Sequence, residues 1–252
     1  MEMNHAFRAL HLQLNLKLYK PWTVLFGPSG SGKTTILRAI AGLFDSDQGT
    51  IQIHGTTIFS RSQKQCNANL PAQARGLGMV MQAPALFSHL SAGANIAFAL
   101  RGLTADARNQ RVQAIEDSLH IRAMHDAFPH QLSIGQQQRV SLARTLIAEP
   151  RALLLDEPFS AMDRTARQEV LQCLQQWVAE RGVANRAVPV LMVTHDLAEA
   201  FAASDEVVVL QNGRAVAQGV ASKVLHAERL RLLEDLGVTP QPATPTEPSL
   251  DR

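Results

Sequence analysis

The sequence predicts an α/β protein with a mostly parallel sheet, an antiparallel β subdomain and a helical insertion in its middle. Three observations carry this. Apolar runs at residues 22–26, 77–81, 152–155, 188–193 and 207–210 read as strands, and helical segments separate most of them. Strands alternating with helices make a sheet covered on both faces. Next, Leu10, Leu12, Leu14, Leu16 and Leu18 alternate with His11, Gln13, Asn15 and Lys17, the period-two pattern of an antiparallel strand with one buried face. Finally, residues 91–148 switch to Ala- and Leu-rich helical periodicity.

The remaining elements follow in order. Residues 33–43 read as a helix opening on a glycine-rich turn, and residues 50–53 as a further strand. Residues 60–75 are polar and irregular, and read as a surface loop. A helical segment is expected at 222–236. Residues 238–252 hold Pro240, Pro242, Pro245 and Pro248 and few large apolar groups, the composition of a disordered tail.

Composition narrows the classes of function. The chain has 252 residues, 46% of them hydrophobic and 18% charged, enough to bury a core as one domain or one domain with a subdomain. A net charge of +2 gives no whole-chain reason to bind nucleic acid or a lipid surface. Cys66 and Cys173 form no CxxC pair, so neither a disulfide framework nor a thiolate metal site is expected, and a reducing cytosol suits the chain. The first ten residues lack the apolar core of a signal peptide. The apolar runs are far shorter than the ~20 residues of a membrane helix. Work at a membrane would need a partner there.

Gly27-Pro28-Ser29-Gly30-Ser31-Gly32-Lys33-Thr34 matches GxxxxGK[ST] at every fixed position, after an apolar strand and at the start of a helix. Glycines let the backbone curl so that successive N–H groups face phosphate oxygens, and the helix N-terminus adds partial positive charge. Lys33 is placed for the β- and γ-phosphates, the Thr34 hydroxyl for Mg²⁺, and Thr35 extends the cradle. These residues read as a P-loop NTPase core. Asp156-Glu157 ends the apolar strand 152–155. That strand delivers Asp156 to the carboxyl edge of the sheet, where it can order water around Mg²⁺. Glu157 is then placed to polarise an attacking water as general base.

Leu132-Ser133-Ile134-Gly135-Gln136-Gln137-Gln138-Arg139 resembles the LSGGQ signature of the ABC ATPases. Gln82 after the strand 77–81 resembles that family's Q-loop glutamine. Ser160-Ala161-Met162-Asp163 is similar to its D-loop, with Met for the usual Leu, and Thr194-His195-Asp196 to its switch histidine. The resemblance runs from about residue 10 to residue 219. It implies an ABC ATPase domain over 1–237, a helical subdomain at about 91–148, and the tail 238–252. It also implies ATP and Mg²⁺ as ligands, with Thr34, Gln82 and Asp156 around the metal.

In that family two cassettes close head to tail on two nucleotides. The phosphate loop comes from one copy; Ser133, Gly135, Gln136 and Asp163 come from the other. His195 would contact the γ-phosphate and orient water with Glu157, while Gln82 would report the site's state to a membrane partner. The family usually stacks adenine on an upstream aromatic residue, for which Phe7 and Tyr19 are candidates. Ile134 departs from the signature's first glycine. An alternative is a subunit that binds nucleotide without hydrolysing it; intact Lys33, Asp156, Glu157 and His195 oppose that.

Arg75 to Gln82, Ala85-Leu86-Phe87-Ser88-His89-Leu90, Phe128-Pro129-His130-Gln131 and Asp196 to Ala200 resemble the importer branch. Its cassettes for molybdate and related oxyanions, ferric iron and polyamines are the most similar. The resemblance implies permease subunits as partners, a substrate-binding protein acting indirectly, and a peripheral place on the cytoplasmic face of the inner membrane. Neither a C-terminal ligand-sensing domain nor the coiled-coil arms of soluble ABC ATPases fits these residues.

Overall fold

The computed structural model describes residues 2–7, 10–18, 20–62, 65–181 and 188–226, with backbone alone for 2–7 and 10–15. The chain opens with β1 (Glu2–Phe7), β2 (Leu10–Asn15), β3 (Trp22–Phe26) and α1 (Lys33–Ala41). There follow β4 (Gln48–Ile53), β5 (Thr56–Arg61), β6 (Cys66–Asn69) and β7 (Leu77–Val80). The helices α2 (Ala92–Ala97), α3 (Ala105–Ser118) and α4 (Ile134–Ile147) come next. Then β8 (Ala152–Asp156), α5 (Arg164–Glu180), β9 (Val190–Thr194), α6 (Leu197–Ala203), β10 (Glu206–Gln211) and β11 (Arg214–Gly219) complete the named elements. Residues 221–226 are also helical. The Pro-rich segment 238–252, the rest of the helix expected at 222–236, and Tyr19 lie outside the described residues.

The described strands form one sheet in the order β6-β5-β4-β1-β2-β11-β10-β3-β9-β8-β7. From β10 to β7 the pairing is parallel, and the β1–β2, β1–β4, β4–β5 and β5–β6 pairs are antiparallel. Side-chain alternation explains why the parallel strands read as unbroken apolar runs. Val24, Leu153, Leu155, Met192 and Val209 point into a core shared with α2–α6. Their neighbours Leu25, Leu154, Leu191 and Val208 point into a second core with α1, β4 and β5. Both faces are covered, so most positions on these strands are apolar. Each buried Leu or Val contributes about 1.5–3 kcal/mol.

The helical insertion is anchored the same way. Ile96, Val112, Ile115, Val140 and Leu146 join the first core. Ser91, Thr104 and Ser133 cap its helices, accepting from the N–H groups of Ala94, Ala107 and Gln136; each cap contributes about 0.5–2 kcal/mol.

Residues 60–75 correct the sequence reading. They hold the end of β5, the strand β6 and a 3₁₀ turn at Ala72–Ala74. β6 lies at the sheet edge with mostly exposed side chains, so it shows no apolar alternation. Its strand geometry comes from pairing with β5. Arg75 at the segment's end is only 4% exposed. Its Nη1 donates to Ala39 O (2.8 Å) and Ile40 O (2.7 Å), satisfying carbonyls at the end of α1.

Candidate active site

Register assembles the site. In the parallel block, Phe26 pairs with Thr194, Val193 with Asp156, and Leu155 with Val80. The loops after β3, β9, β8 and β7 therefore leave the carboxyl edge side by side. They carry residues 27–32, His195, Glu157 and Gln82, and open α/β sheets bind ligands at this edge.

The glycine-rich loop is held close to the sheet. A Cβ on Gly27 would sit 2.2 Å from Leu210 O of β10, so only glycine fits. Gly30 and Gly32 have φ of 80° and 101°, a region that disfavours side chains. Gly32 is the N-cap of α1. The Lys33 Nζ donates to Gly27 O (2.7 Å) and Pro28 O (2.8 Å). The Ser31 Oγ is buried and has no protein partner. A cavity of about 330 Å³ lies in front, lined by Ser29, Gly30, Gly32, Lys33, Thr34, Thr35, Gln82 and Glu157.

The acidic side is equally ordered. The Thr34 Oγ1 donates to Asp156 Oδ1 at 2.9 Å. Glu157 has a φ of 46°, an uncommon left-handed conformation for a non-glycine residue. Its N–H donates to Val193 O (3.0 Å). Both carboxylate oxygens are engaged: Gln82 Nε2 donates to Oε2 (3.0 Å), and His195 Nδ1 lies 2.9 Å from Oε1. Against a carboxylate that nitrogen is the donor, which leaves Nε2 facing away from Glu157.

Burial shifts two groups. Desolvation lowers the Lys33 ammonium from its usual value, with Glu157 and Asp156 pulling it back up. Desolvation likewise raises the Asp156 carboxyl, opposed by the Thr34 hydrogen bond. Both charged forms lack a sufficient counter-charge within the protein. A phosphate beside Lys33 and a cation beside Asp156 would supply it. The hydroxyl–carboxylate pair of Thr34 and Asp156 is an all-oxygen donor set of the kind Mg²⁺ takes.

Ser133, Gly135, Gln136 and Asp163 do not line this cavity. They form a second group. Ser133 caps α4 in a reciprocal box: its Oγ accepts from Gln136 N (3.2 Å), and Gln136 Oε1 accepts from Ser133 N (2.9 Å). Asp163 caps α5, accepting from Ala166 N at 2.9 Å. A Cβ on Gly135 would meet Ala161 O at 2.9 Å, so the start of α4 touches the turn that leads into α5. Ile134 points outward and is 62% exposed.

The described chain matches the family model for ABC transporter over residues 11–160. The chain belongs to the ABC transporter family. A Fe(3+) ions import ATP-binding protein of Pseudomonas fluorescens is 43% identical over 198 residues, which are 78% of this cassette and 53% of that protein. A molybdate/tungstate import ATP-binding protein of Archaeoglobus fulgidus is 38% identical over 225 residues, 89% of this chain and 88% of that one. The cassette thus spans about half the length of the ferric-ion relatives it matches. Among solved structures, a protein of Clostridium perfringens that is part of the ABC transporter complex cbiONQ superposes with a TM-score of 0.73 and 26% identity, covering 92% of both chains. An ATP-binding cassette in a dimeric post-hydrolysis state bound to ADP and Pi has the same fold, with a TM-score of 0.70, 24% identity, and 87% and 95% coverage.

Some residues around the site were assigned no role by the sequence reading. Gln138 is buried in α4 and its Nε2 donates to Met81 O (3.0 Å), beside Gln82. Thr194, Glu199 and Arg167 form a charged network around His195. A buried Glu four positions after His195 was the available signal for it. Of the adenine candidates, Tyr19 and the Phe7 side chain lie outside what is described.

Proposed function

We propose that this cassette is the ATP-binding and ATP-hydrolysing subunit of an ABC importer, closing head to tail with a second copy. The observation that carries it is the double engagement of Glu157 by Gln82 and His195 at the mouth of the cavity above Lys33 and Thr34. Turnover needs a base, an orienting residue and a phosphate cradle in one place, and this arrangement supplies all three.

Each residue has a role set by its chemistry. Lys33 leaves its two carbonyl partners to neutralise the β- and γ-phosphates of ATP. Thr34, Asp156 and Gln82 would hold Mg²⁺, which would supply positive charge against the phosphates. Glu157 takes a proton from the attacking water. His195 orients that water through Glu157 and would contact the γ-phosphate through Nε2. Ser133 keeps its hydroxyl proton while accepting from Gln136, so it can donate to the partner copy's phosphate. Gly135 N–H and Gln136 present the α4 N-terminus to the same anion. Asp163 stands beside them at the start of α5.

None of the described helices is long and apolar enough to cross a membrane. Attachment to the cytoplasmic face of the inner membrane would therefore run through permease subunits. Residues 83–90 would line part of the permease's docking groove, and this segment is held in place from within. Asn95 is fully buried there, bonded to Phe87 N and O, Leu90 O and Ser91 O. The Phe87 ring lies 4.5 Å from that of Phe98, tilted by 47°, and Phe98 is half exposed. A substrate-binding protein would act through the permease. The cargo would be an inorganic ion, molybdate or another, in line with relatives named for ferric ions and for molybdate or tungstate. Residues 1–237 would be the working unit and 91–148 its helical subdomain.

The test is Mg²⁺-dependent ATP hydrolysis by the purified chain over a range of concentrations, beside Glu157→Gln. The reading expects activity rising faster than linearly with protein. Glu157→Gln should lower kcat by about a hundredfold or more and trap an ATP-bound dimer by light scattering. Wild type without hydrolysis or an ATP-driven dimer, even with its permease, would sink the reading.

A further inference from the structure

Two carboxylates meet on one cation behind His195, and a hydroxyl ties one of them to the strand end. The Arg167 Nη1 donates to Asp196 Oδ2 (2.8 Å) and lies 3.1 Å from Glu199 Oε1. Glu199 is 5% exposed, and its other oxygen accepts from Thr194 Oγ1 at 2.6 Å. Thr194 Oγ1 in turn accepts from Asp196 N at 3.0 Å. Asp196 Oδ1 caps α6, taking N–H bonds from Ala198 and Glu199. Burial raises the Glu199 carboxyl, opposed by the Thr194 hydrogen bond and by Arg167. His195 therefore sits between two residues, Thr194 and Asp196, whose side chains are both tied into one network.

The cation comes from a different element. Arg167 lies in the first turn of α5, its N–H donating to the carbonyl of the N-cap residue, Asp163 (2.9 Å). The turn before that cap, at Ala161, is what Gly135 packs against. A rigid helix start thus connects residues 160–163 to the loop that carries His195. The Arg167 Nε is buried without a partner, so the guanidinium is held by the carboxylates at Nη1 while Nε adds no bond of its own.

We propose that Arg167 is a positioning residue for hydrolysis: it fixes His195 against Glu157 and transmits the placement of residues 160–163 to that pair. The inference rests on the proposed reading that a second copy closes over these residues. Movement of the α5 start on closure carries Arg167, and Arg167 carries Asp196 and Glu199 on both sides of the histidine. Arg167 stays out of the phosphate cavity. Nucleotide binding should therefore be insensitive to its loss, whereas the water-orienting step should not.

The experiment is steady-state ATP hydrolysis by the full chain as wild type, Arg167→Met and Arg167→Lys, with thermal melting of each. For Arg167→Met, kcat should fall about tenfold to a hundredfold, the range for a displaced catalytic group. KM for ATP should stay within about twofold, the mark of an effect confined to the chemical step. Arg167→Lys should recover part of kcat, because an ammonium keeps the charge but not the two-carboxylate reach. A lowered melting temperature with kcat kept within about twofold, or a loss shared with KM, would overturn the proposal. If Arg167→Met does not fold, Glu199→Gln is read the same way: a kcat loss at constant KM supports it and wild-type kcat overturns it. An inactive wild type would remove the importer reading and this inference with it. An active wild type beside an active Arg167→Met removes only the inference.

Discussion

The two groups of candidate residues are held in different ways. Around the phosphate cavity, side chains from one strand end are bonded to another: Thr34 to Asp156, Gln82 and His195 to Glu157, Lys33 to the loop's own carbonyls. At the starts of α4 and α5, the Ser133 and Asp163 side chains serve locally as helix caps. Sheet register builds the first group whole within one chain. The second presents helix N-termini outward, where the proposed reading places a second copy. On that reading the contrast means that one copy binds nucleotide but does not complete hydrolysis.

That comparison is sharpened most strongly by one variant from each group. Lys33→Ala should weaken nucleotide binding by about tenfold to a hundredfold, the loss of charged hydrogen bonds, measured with a fluorescent ATP analogue at concentrations where the chain is monomeric. Ser133→Ala should leave that binding within about twofold yet lower kcat by about 10²–10³, the effect of one lost transition-state donor. Equal effects of both on monomer binding would break the distinction.

Gly135→Ala comes next. The added Cβ meets a backbone oxygen, Ala161 O at 2.9 Å, so either α4 or residues 160–163 must shift. Overpacking of this kind costs about 1–3 kcal/mol. The melting temperature should drop by several degrees, and hydrolysis should fall more than nucleotide binding. Unchanged melting and turnover would mean the two helix starts are looser than the contact implies.

Much of the first group was legible in the sequence because its determinants are local. GxxxxGK[ST] sets a loop between strand and helix, and an apolar strand ending in Asp156-Glu157 sets an acidic edge. Their juxtaposition required register, which the motifs do not encode. Residues 60–75 were misread because β6 gains its strand geometry from β5 and buries almost nothing. Arg167 left no local trace, since its partners Asp196 and Glu199 lie far along the chain from α5.

Burial of Asp156 offers a smaller, pH-dependent test of the first group. Its folded carboxyl is raised above the ordinary 3.8, mainly by desolvation. A raised acid favours the folded state when protonated, so its contribution is full below the unfolded value and is lost as pH rises through the folded one. Asp156→Asn should therefore melt above wild type near neutrality without nucleotide, and the gap should close as pH falls towards 4. A gap that widens on acidification would show that the Thr34 hydrogen bond outweighs desolvation. With Mg²⁺ and ATP the order should reverse, because only the carboxylate helps hold the metal.

Ile134→Gly should have the smallest effect, and it bears on the second group alone. Ile134 is the first residue of α4 and is 62% exposed, so its removal leaves no cavity. Glycine inside a helix costs up to about 1 kcal/mol relative to alanine, and less at the first position, where the capping box already fixes the turn. Melting should fall by about 2 °C or less. Kinetics carries the information. The side chain stands between Ser133 and Gly135, on the face a second copy would cover. If the face tolerates an isoleucine, ATP-driven dimerisation and kcat should change by less than about threefold, typical of an exposed substitution. A rise of tenfold or more in dimer affinity would show that Ile134 obstructs closure, and that the helix-start group is tuned for slow turnover. A comparable fall would show that Ile134 buries itself against the second copy. Its exposure in the single chain would then be the trace of a missing partner.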